Sequence, residues 1–305
     1  MRKLFGILFL SLLLLGFNGV REASSRTLFN DNFDVYQQYL FPTIGDWQLL
    51  RDGSGVEDQY VDTLNCVSNT QSLHLAGASC WISSAYHAVL ELQQLPAATV
   101  TLTANVRVGQ NVACGCNPVL AELALFNLNI NPATWNDDTW GTRFGGVSFN
   151  CDGFIYGGVN GGDVVNGALG VRLQPFNPNT WYNIRIDLNM ATKFSRVFID
   201  NVPALNGIEI PSSLPGEVNL LPTGVILFGG FAINNPVWYD DVCVFEPPPT
   251  PAPAPAPAPV CNATGLLHIP CLDLFGEFRL LVDMELATLC APPDICFRVI
   301  PFDSN

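Results

Sequence analysis

Hydrophobic and polar residues alternate most cleanly between Trp181 and Met190. Tyr182, Ile184, Ile186, Leu188 and Met190 interleave there with Trp181, Asn183, Arg185, Asp187 and Asn189. A period of two sorts the first set onto one face of a β-strand and the second onto the other. The apolar face wants a core and the other can meet water. A polar break, Ala191-Thr192-Lys193, leads into a second run, Phe194 to Asp200. Two such runs across a short break predict an antiparallel hairpin.

The same period recurs along the chain. Leu28 to Asp34 reads as an opening strand, and Asp46 to Leu50 follows a Pro-Gly break. Asp52-Gly53-Ser54-Gly55 is a turn cluster. Ser72 to Leu75 and Cys80 to Ser83 are short strands. From Ala98 to Val108, Val100, Leu102, Ala104, Val106 and Val108 share one face opposite a threonine-rich one. Leu120 to Asn127 is another strand, after which a polar segment from Asn129 to Gly146 reads as a long loop. Val147 to Phe149, Phe154 to Gly158 and Val164 to Leu173 continue the β pattern between glycines. Val225 to Phe231 is apolar on both faces, as in a strand buried mid-sandwich. Val237 to Phe245 is the last strand. Many short strands with almost no helical period predict an all-β antiparallel sandwich.

The Trp-initiated strand, followed by a strand that ends in an Asp200-Asn201 turn, resembles a signature of the concanavalin A-like, laminin G-like jelly rolls. The resemblance runs from Leu28 to Glu246. It implies a jelly-roll sandwich over 26–246, of the lectin or carbohydrate-binding-module type.

The flanking segments set the compartment. Arg2 and Lys3 precede an apolar run from Leu4 to Phe17, too short to span a bilayer comfortably. That pattern predicts a secretory signal peptide over 1–25 and a secreted, extracellular protein without a membrane span in its mature form; an uncleaved anchor is the alternative. The chain of 305 residues carries a net charge of −14 and only two lysines, Lys3 and Lys193. Phosphate backbones repel such a surface, which argues against nucleic acid as a partner.

Ten cysteines in a secreted chain predict disulfides. Cys66, Cys80, Cys114, Cys116, Cys151 and Cys243 precede a proline-rich stretch, and Cys261, Cys271, Cys290 and Cys296 follow it. Each set is even, so each module can close its own bridges; the connectivity stays open. The stretch over 247–260, PPPTPAPAPAPAPV, favours polyproline II. At about 3.1 Å per residue it spans on the order of 40 Å as a semi-rigid spacer. The tail, 261–305, is too small for an unaided core, and two disulfides would staple it. Phe278 to Leu286 alternates as a strand would. Asn262-Ala263-Thr264 is an N-glycosylation sequon.

Candidate chemistry falls into three groups. Jelly-roll hydrolases place two carboxylates as Glu-x-Asp-x-Glu on one strand. No such run exists here, Glu122 stands alone on an apolar strand, and no catalytic residue is assigned. In the polar segment, Trp135, Asp137, Asp138, Trp140 and Arg143 combine flat rings with hydroxyl-binding groups, as carbohydrate recognition requires. Alternatively, the two rings fold back as hydrophobic plugs. Asp34 on the opening strand with Asp240 and Asp241 on the last is similar to a pairing in jelly-roll carbohydrate-binding modules. There, neighbouring first and last strands hold a structural Ca²⁺, and carboxylates brought together need a cation or a proton. Here Val35-Tyr36 replaces the glycine turn after the first acid, and ordinary turn and edge acids are the alternative. The leading reading is non-catalytic binding of an extracellular glycan or cell-surface glycoconjugate. The rivals are a structural or adhesion protein that binds other proteins, and a glycan hydrolase or lyase.

Overall fold

The computed structural model describes residues 25–42, 45–53, 55, 58–67, 70–77, 82–96, 98–109, 118–128, 142–158, 170–213, 216, 218–230 and 235–248, with the strand backbone of 289–291 and 295–297. The chain divides into two compact units, Met1–Pro248 and Pro249–Asn305.

In the first unit the strands are β1 Arg26–Asp31, β2 Trp47–Asp52, β3 Tyr60–Asp62, β4 Ser72–Ala76, β5 Ser83–Ala88, β6 Thr99–Val108, β7 Val119–Asn127 and β8 Thr142–Asn150. They continue with β9 Phe154–Gly158, β10 Val171–Pro175, β11 Trp181–Asn189, β12 Phe194–Ile199, β13 Val202–Pro203, β14 Ile210–Pro211, β15 Gly224–Gly229 and β16 Pro236–Glu246. Among the described residues they build two antiparallel sheets. The nine-stranded sheet runs β13-β12-β11-β6-β16-β4-β3, with β1 on β16 and β14 on β12. The seven-stranded sheet runs β10-β9-β8-β7-β15-β5-β2. Helix among the described residues is confined to short 3-10 turns such as Leu90–Gln94.

The alternating runs lie where the pattern puts them. β6 and β11 pair from Thr99↔Asn189 to Arg107↔Trp181, so their two apolar sets share one face. Val100, Leu102, Ala104, Ile184, Ile186 and Leu188 are completely buried. One core joins them to Leu123, Leu125, Val147, Phe149, Val225 and Leu227 of the seven-stranded sheet. Two sheets closed over one apolar layer form a β-sandwich. β15 is buried on both faces: Val225 and Leu227 enter that core, while Ile226 and Phe228 join a second cluster with Tyr86, Ala124 and Phe126.

Several boundaries depart from the sequence pattern. The opening strand stops at Asp31, because Phe33 takes a left-handed conformation, φ 61°, in the turn that follows. The fifth strand lies at Ser83–Ala88, later than its cysteine-led reading. The eighth strand starts at Thr142, inside the segment read as loop. The tenth begins at Val171, and 164–169 lie outside the described residues. The second unit contains a hairpin, β17 Leu289–Ala291 with β18 Ile295–Phe297, in which Cys290 stands opposite Cys296. The expected strand at 278–286 lies outside the described residues.

Candidate functional site

The second face of the seven-stranded sheet carries the most concentrated chemistry. In β7, Ala121, Leu123 and Leu125 enter the core, which turns Glu122, Ala124 and Phe126 to the other side. The ladders then align a row across six strand pairings. Arg172 pairs with Tyr156, Tyr156 with Ser148, Ser148 with Glu122, Glu122 with Phe228, Phe228 with Ser84, and Ser84 with Arg51. Adjacent strands lie about 4.8 Å apart, so Ser148 and Ser84 are roughly 14 Å apart with Glu122 and Phe228 between them.

Arg143 joins this row through a β-bulge. Phe144 pairs with Leu125 and Val147 with Leu123, so Gly145 and Gly146 together oppose Ala124. The extra residue shifts the alternation, and Arg143 and Ser148, five positions apart, face the same side. Gly145 holds the bulge at φ 65°, and a Cβ there would lie 2.8 Å from Ile186 Cγ2. Only glycine fits both the left-handed backbone and the close approach of the other sheet.

Arg143 Nη1 donates to Glu122 Oε2 at 2.7 Å. The two side chains are 16 % and 1 % exposed. The Arg143 guanidinium also sits over the Phe228 ring, 5.6 Å from its centroid. A buried ion pair costs desolvation that Coulomb attraction only partly returns, so it is weak evidence for stability as its purpose. Beside it, the hydroxyls of Ser84 and Ser148 are fully buried, and among the described residues neither has a hydrogen-bond partner. Buried hydroxyls are normally bonded, and each exception asks for an explanation. At the sheet edge, Tyr156 donates to Asp152 Oδ2 at 2.7 Å, and Arg172 pairs with the same oxygen at 3.4 Å. Burial, then the bond and charge of Asp152, raise the Tyr156 phenol.

Of the expected sugar-binding set, Arg143 lies in a strand, committed to Glu122, where a loop position was expected. Trp135, Asp137, Asp138 and Trp140 lie outside the described residues. In sequence, Glu122 is a lone acid, and nothing there singles out Ser84, Ser148 or Tyr156. Its only available signal was a charged residue in the middle of an apolar strand.

Of the acids expected to hold Ca²⁺, Asp240 and Asp241 lie on β16, the neighbour of β1, but Asp34, expected on the opening strand, sits in the turn beyond its end at Asp31. Their oxygens, however, receive hydrogen bonds. Asp34 Oδ1 accepts from the Thr70 and Gln71 N–H groups, each at 3.1 Å, and from Thr70 Oγ1 at 3.0 Å. Asp240 is completely buried; its Oδ2 accepts from Val67 N–H and its Oδ1 from Asp241 N–H, each at 2.8 Å. Asp241 Oδ2 accepts from Asn105 Nδ2 at 2.9 Å. Thus Asp34 and Asp240 fasten the segment between β3 and β4. Among the described residues no three His, Cys, Asp or Glu side chains converge on a possible ion position.

The cysteines also divide. Cys151 is in a disulfide. Cys66 and Cys243, expected in bridges whose pairing the sequence leaves open, are unbridged here, both partly buried. Burial raises both thiols, and Asp240, Asp34 and Asp62 raise Cys66 further, so the reactive thiolate forms more readily as pH rises. Cys80, Cys114, Cys116, Cys261 and Cys271, and the sequon Asn262, lie outside the described residues, as do the side chains of Cys290 and Cys296. Among the described residues, no helix is long and apolar enough to cross a membrane.

No protein-family model matches the chain, and no curated protein matches it. Solved structures do. A carbohydrate esterase of the Shiga toxin-encoding bacteriophage phi24B aligns at TM-score 0.48 and 10% identity, over 73% of this chain and 100% of that one. A sialidase aligns at 0.44 and 9%, over 72% of this chain but only 18% of its own. The cellulose induced protein Cip1 aligns at 0.41 and 11%, over 71% and 96%.

Proposed function

We propose that this chain is a secreted, non-catalytic glycan-binding protein built on a concanavalin A-like jelly roll, with the polar row of the seven-stranded sheet as its binding face. One observation supports the reading: the buried hydroxyls of Ser84 and Ser148, without partners among the described residues, flank Glu122 and Phe228 in a single cross-strand row. Hydroxyls and a carboxylate spaced over roughly 14 Å suit the hydroxyl pattern of a short sugar chain, and aromatic rings suit its C–H faces; because these side chains are buried, a bound sugar takes the place of groups now packed over them. Catalysis by paired carboxylates is disfavoured, since Glu122 is tied to Arg143 and Asp152 to Tyr156 and Arg172. Trp135, Trp140, Asp137 and Asp138 would add contacts from the neighbouring segment, and a structural Ca²⁺ remains a separate expectation.

A glycan array on the secreted protein, competed with free sugar, is the test. Against the best glycan found, Ser84→Ala and Ser148→Ala should each lose about 1–2 kcal/mol of affinity. Their melting temperature should hold or rise, because neither hydroxyl has a partner among the described residues. No bound glycan from well-folded protein would overturn the proposal.

A specific observation favours protein contact as the second reading. Val35 and Leu64 are 85% and 83% exposed, and Tyr39, Leu40 and Val67 are exposed on the same two segments. Those segments are tied together by Tyr39 N–H to the Val61 carbonyl and by Val61 N–H to the Leu40 carbonyl.

A further inference from the structure

Cys66 and Cys243 are both unbridged and far apart in sequence, and the Val67 N–H bond to Asp240 brings the segment that holds Cys66 onto the strand that holds Cys243. Cys243 sits on β16 between Asn30 of β1 and Thr103 of β6. Val242 and Val244 point into the core, which turns Cys243 to the outward face. Asp240 pairs with Asn105, two residues along β6 from Thr103. The bulge at Asp241, φ 50°, absorbs the extra residue. Asp240 and Cys243 are therefore successive positions on that face, about 6.7 Å apart along the strand.

Cys66 arrives over the same spot from the other direction. It precedes Val67, whose N–H donates to Asp240 Oδ2 at 2.8 Å, so the Cys66 backbone lies directly against that carboxylate. The segment is fastened on both sides. Arg107 Nη1 donates to Asn65 Oδ1 at 2.5 Å, Ser72 Oγ donates to the Asn65 carbonyl, and Thr70 and Gln71 donate to Asp34.

We propose that Cys66 and Cys243 form a disulfide that joins the segment between β3 and β4 covalently to the last strand of the sandwich. With a small disulfide such as oxidised glutathione, one thiolate attacks and expels a glutathione thiolate. The second cysteine then displaces the other glutathione. Two S–H bonds break and one protein S–S bond forms; the two electrons and two protons end on two glutathione thiols. Burial holds both thiols in the protonated form, so the exchange speeds up as pH rises. A bridge between such distant residues restricts the unfolded chain and raises melting temperature.

Peptide mapping of the full chain by mass spectrometry without reduction, as isolated and after oxidised glutathione, tests this. A Cys66–Cys243 linked peptide is expected, with a melting temperature roughly 5 °C or more above that of protein in which the two thiols are free. Cys66→Ser and Cys243→Ser should each abolish both the linked peptide and the rise. Complete alkylation of both cysteines after oxidation, or glutathione retained on each as a mixed disulfide, would overturn the proposal, as would a bridge from either to a third cysteine.

Discussion

The hydroxyl of Tyr239 crosses the core to the backbone of Glu122, accepting from its N–H at 3.1 Å and lying 2.9 Å from its carbonyl oxygen. The same hydroxyl lies 2.6 Å from the carbonyl of Phe228, the cross-strand partner of Glu122. Tyr239 belongs to β16, so the nine-stranded sheet fixes the two central residues of the row on the seven-stranded one. Complete burial pushes the phenol well above its ordinary value of 10, which keeps it a neutral donor. Tyr239→Phe would leave the Glu122 N–H and one carbonyl without their partner in a dry core. A loss of about 2 kcal/mol in urea unfolding is expected, together with weaker glycan binding, since the row would shift. Unchanged stability would show that water replaces the hydroxyl.

Arg143 and Glu122 allow a sharper test of purpose. Arg143→Ala removes the cation paired with a nearly fully buried carboxylate and should cost about 3 kcal/mol. Glu122→Leu with Arg143→Met removes both charges and keeps much of the volume. That double variant should recover most of the stability while losing glycan binding. Recovered stability with intact binding would remove the pair from the ligand site.

The elements that pack two apolar faces against each other were legible in the sequence, because a period of two is all they require. β6, β11 and β12 lie close to their alternating runs. What escaped were features that depend on register. Arg143 reads as a loop residue because Gly145 and Gly146 break the alternation in β8, and the bulge that returns it to the face of Glu122 exists only once β7 supplies a ladder. The row from Arg172 to Arg51 uses one residue from each of seven strands, so no local window contains it. The pairing of the first strand with the last is legible, but Asp34 falls three residues past the end of β1, in a turn that the alternation does not mark. The N–H donors of Val67, Thr70 and Gln71 that bind Asp34 and Asp240 come from a short, mostly polar segment, Asn65 to Gln71, that carries no periodic signal.

Asp240 separates a hydrogen-bonding role from an ion-binding one. Its carboxylate is completely buried and accepts the Val67 and Asp241 N–H groups. Asp240→Asn substitutes an amide that can satisfy only part of this pattern and should lower stability by about 1–3 kcal/mol. If hydrogen bonding is the role, melting curves in calcium and in chelator will show the same loss. A loss confined to the calcium samples, with wild type stabilised by the ion, would restore the metal site expected from Asp34, Asp240 and Asp241.

His74 sets the acid limit of the fold. It lies on β4 between Trp238 of β16 and Tyr60 of β3. Its ring stacks on Tyr60 at 4.4 Å and meets Trp238 edge-on at 5.5 Å. Nδ1 lies 3.0 Å from the Asp58 carbonyl, which can only accept, so the neutral ring carries its hydrogen there. Burial lowers its proton affinity below the ordinary 6.5, and the carbonyl bond and the charges of Asp62 and Asp58 only partly offset that. In the unfolded chain the imidazole protonates near its ordinary value. Below it the unfolded state therefore binds more protons than the folded one, and stability falls with pH until the folded imidazole itself titrates. Asp62 acts in a lower window: burial raises its carboxyl, but bonds from Asn65, the Leu64 N–H and Trp238 outweigh this and hold it below 3.8. Urea midpoints for wild type and His74→Gln, taken between about pH 7.5 and 5.5, isolate the histidine. Wild type should lose stability over that interval and His74→Gln should lose less, because glutamine has no proton to gain. Parallel curves for the two proteins would show that another group sets the limit.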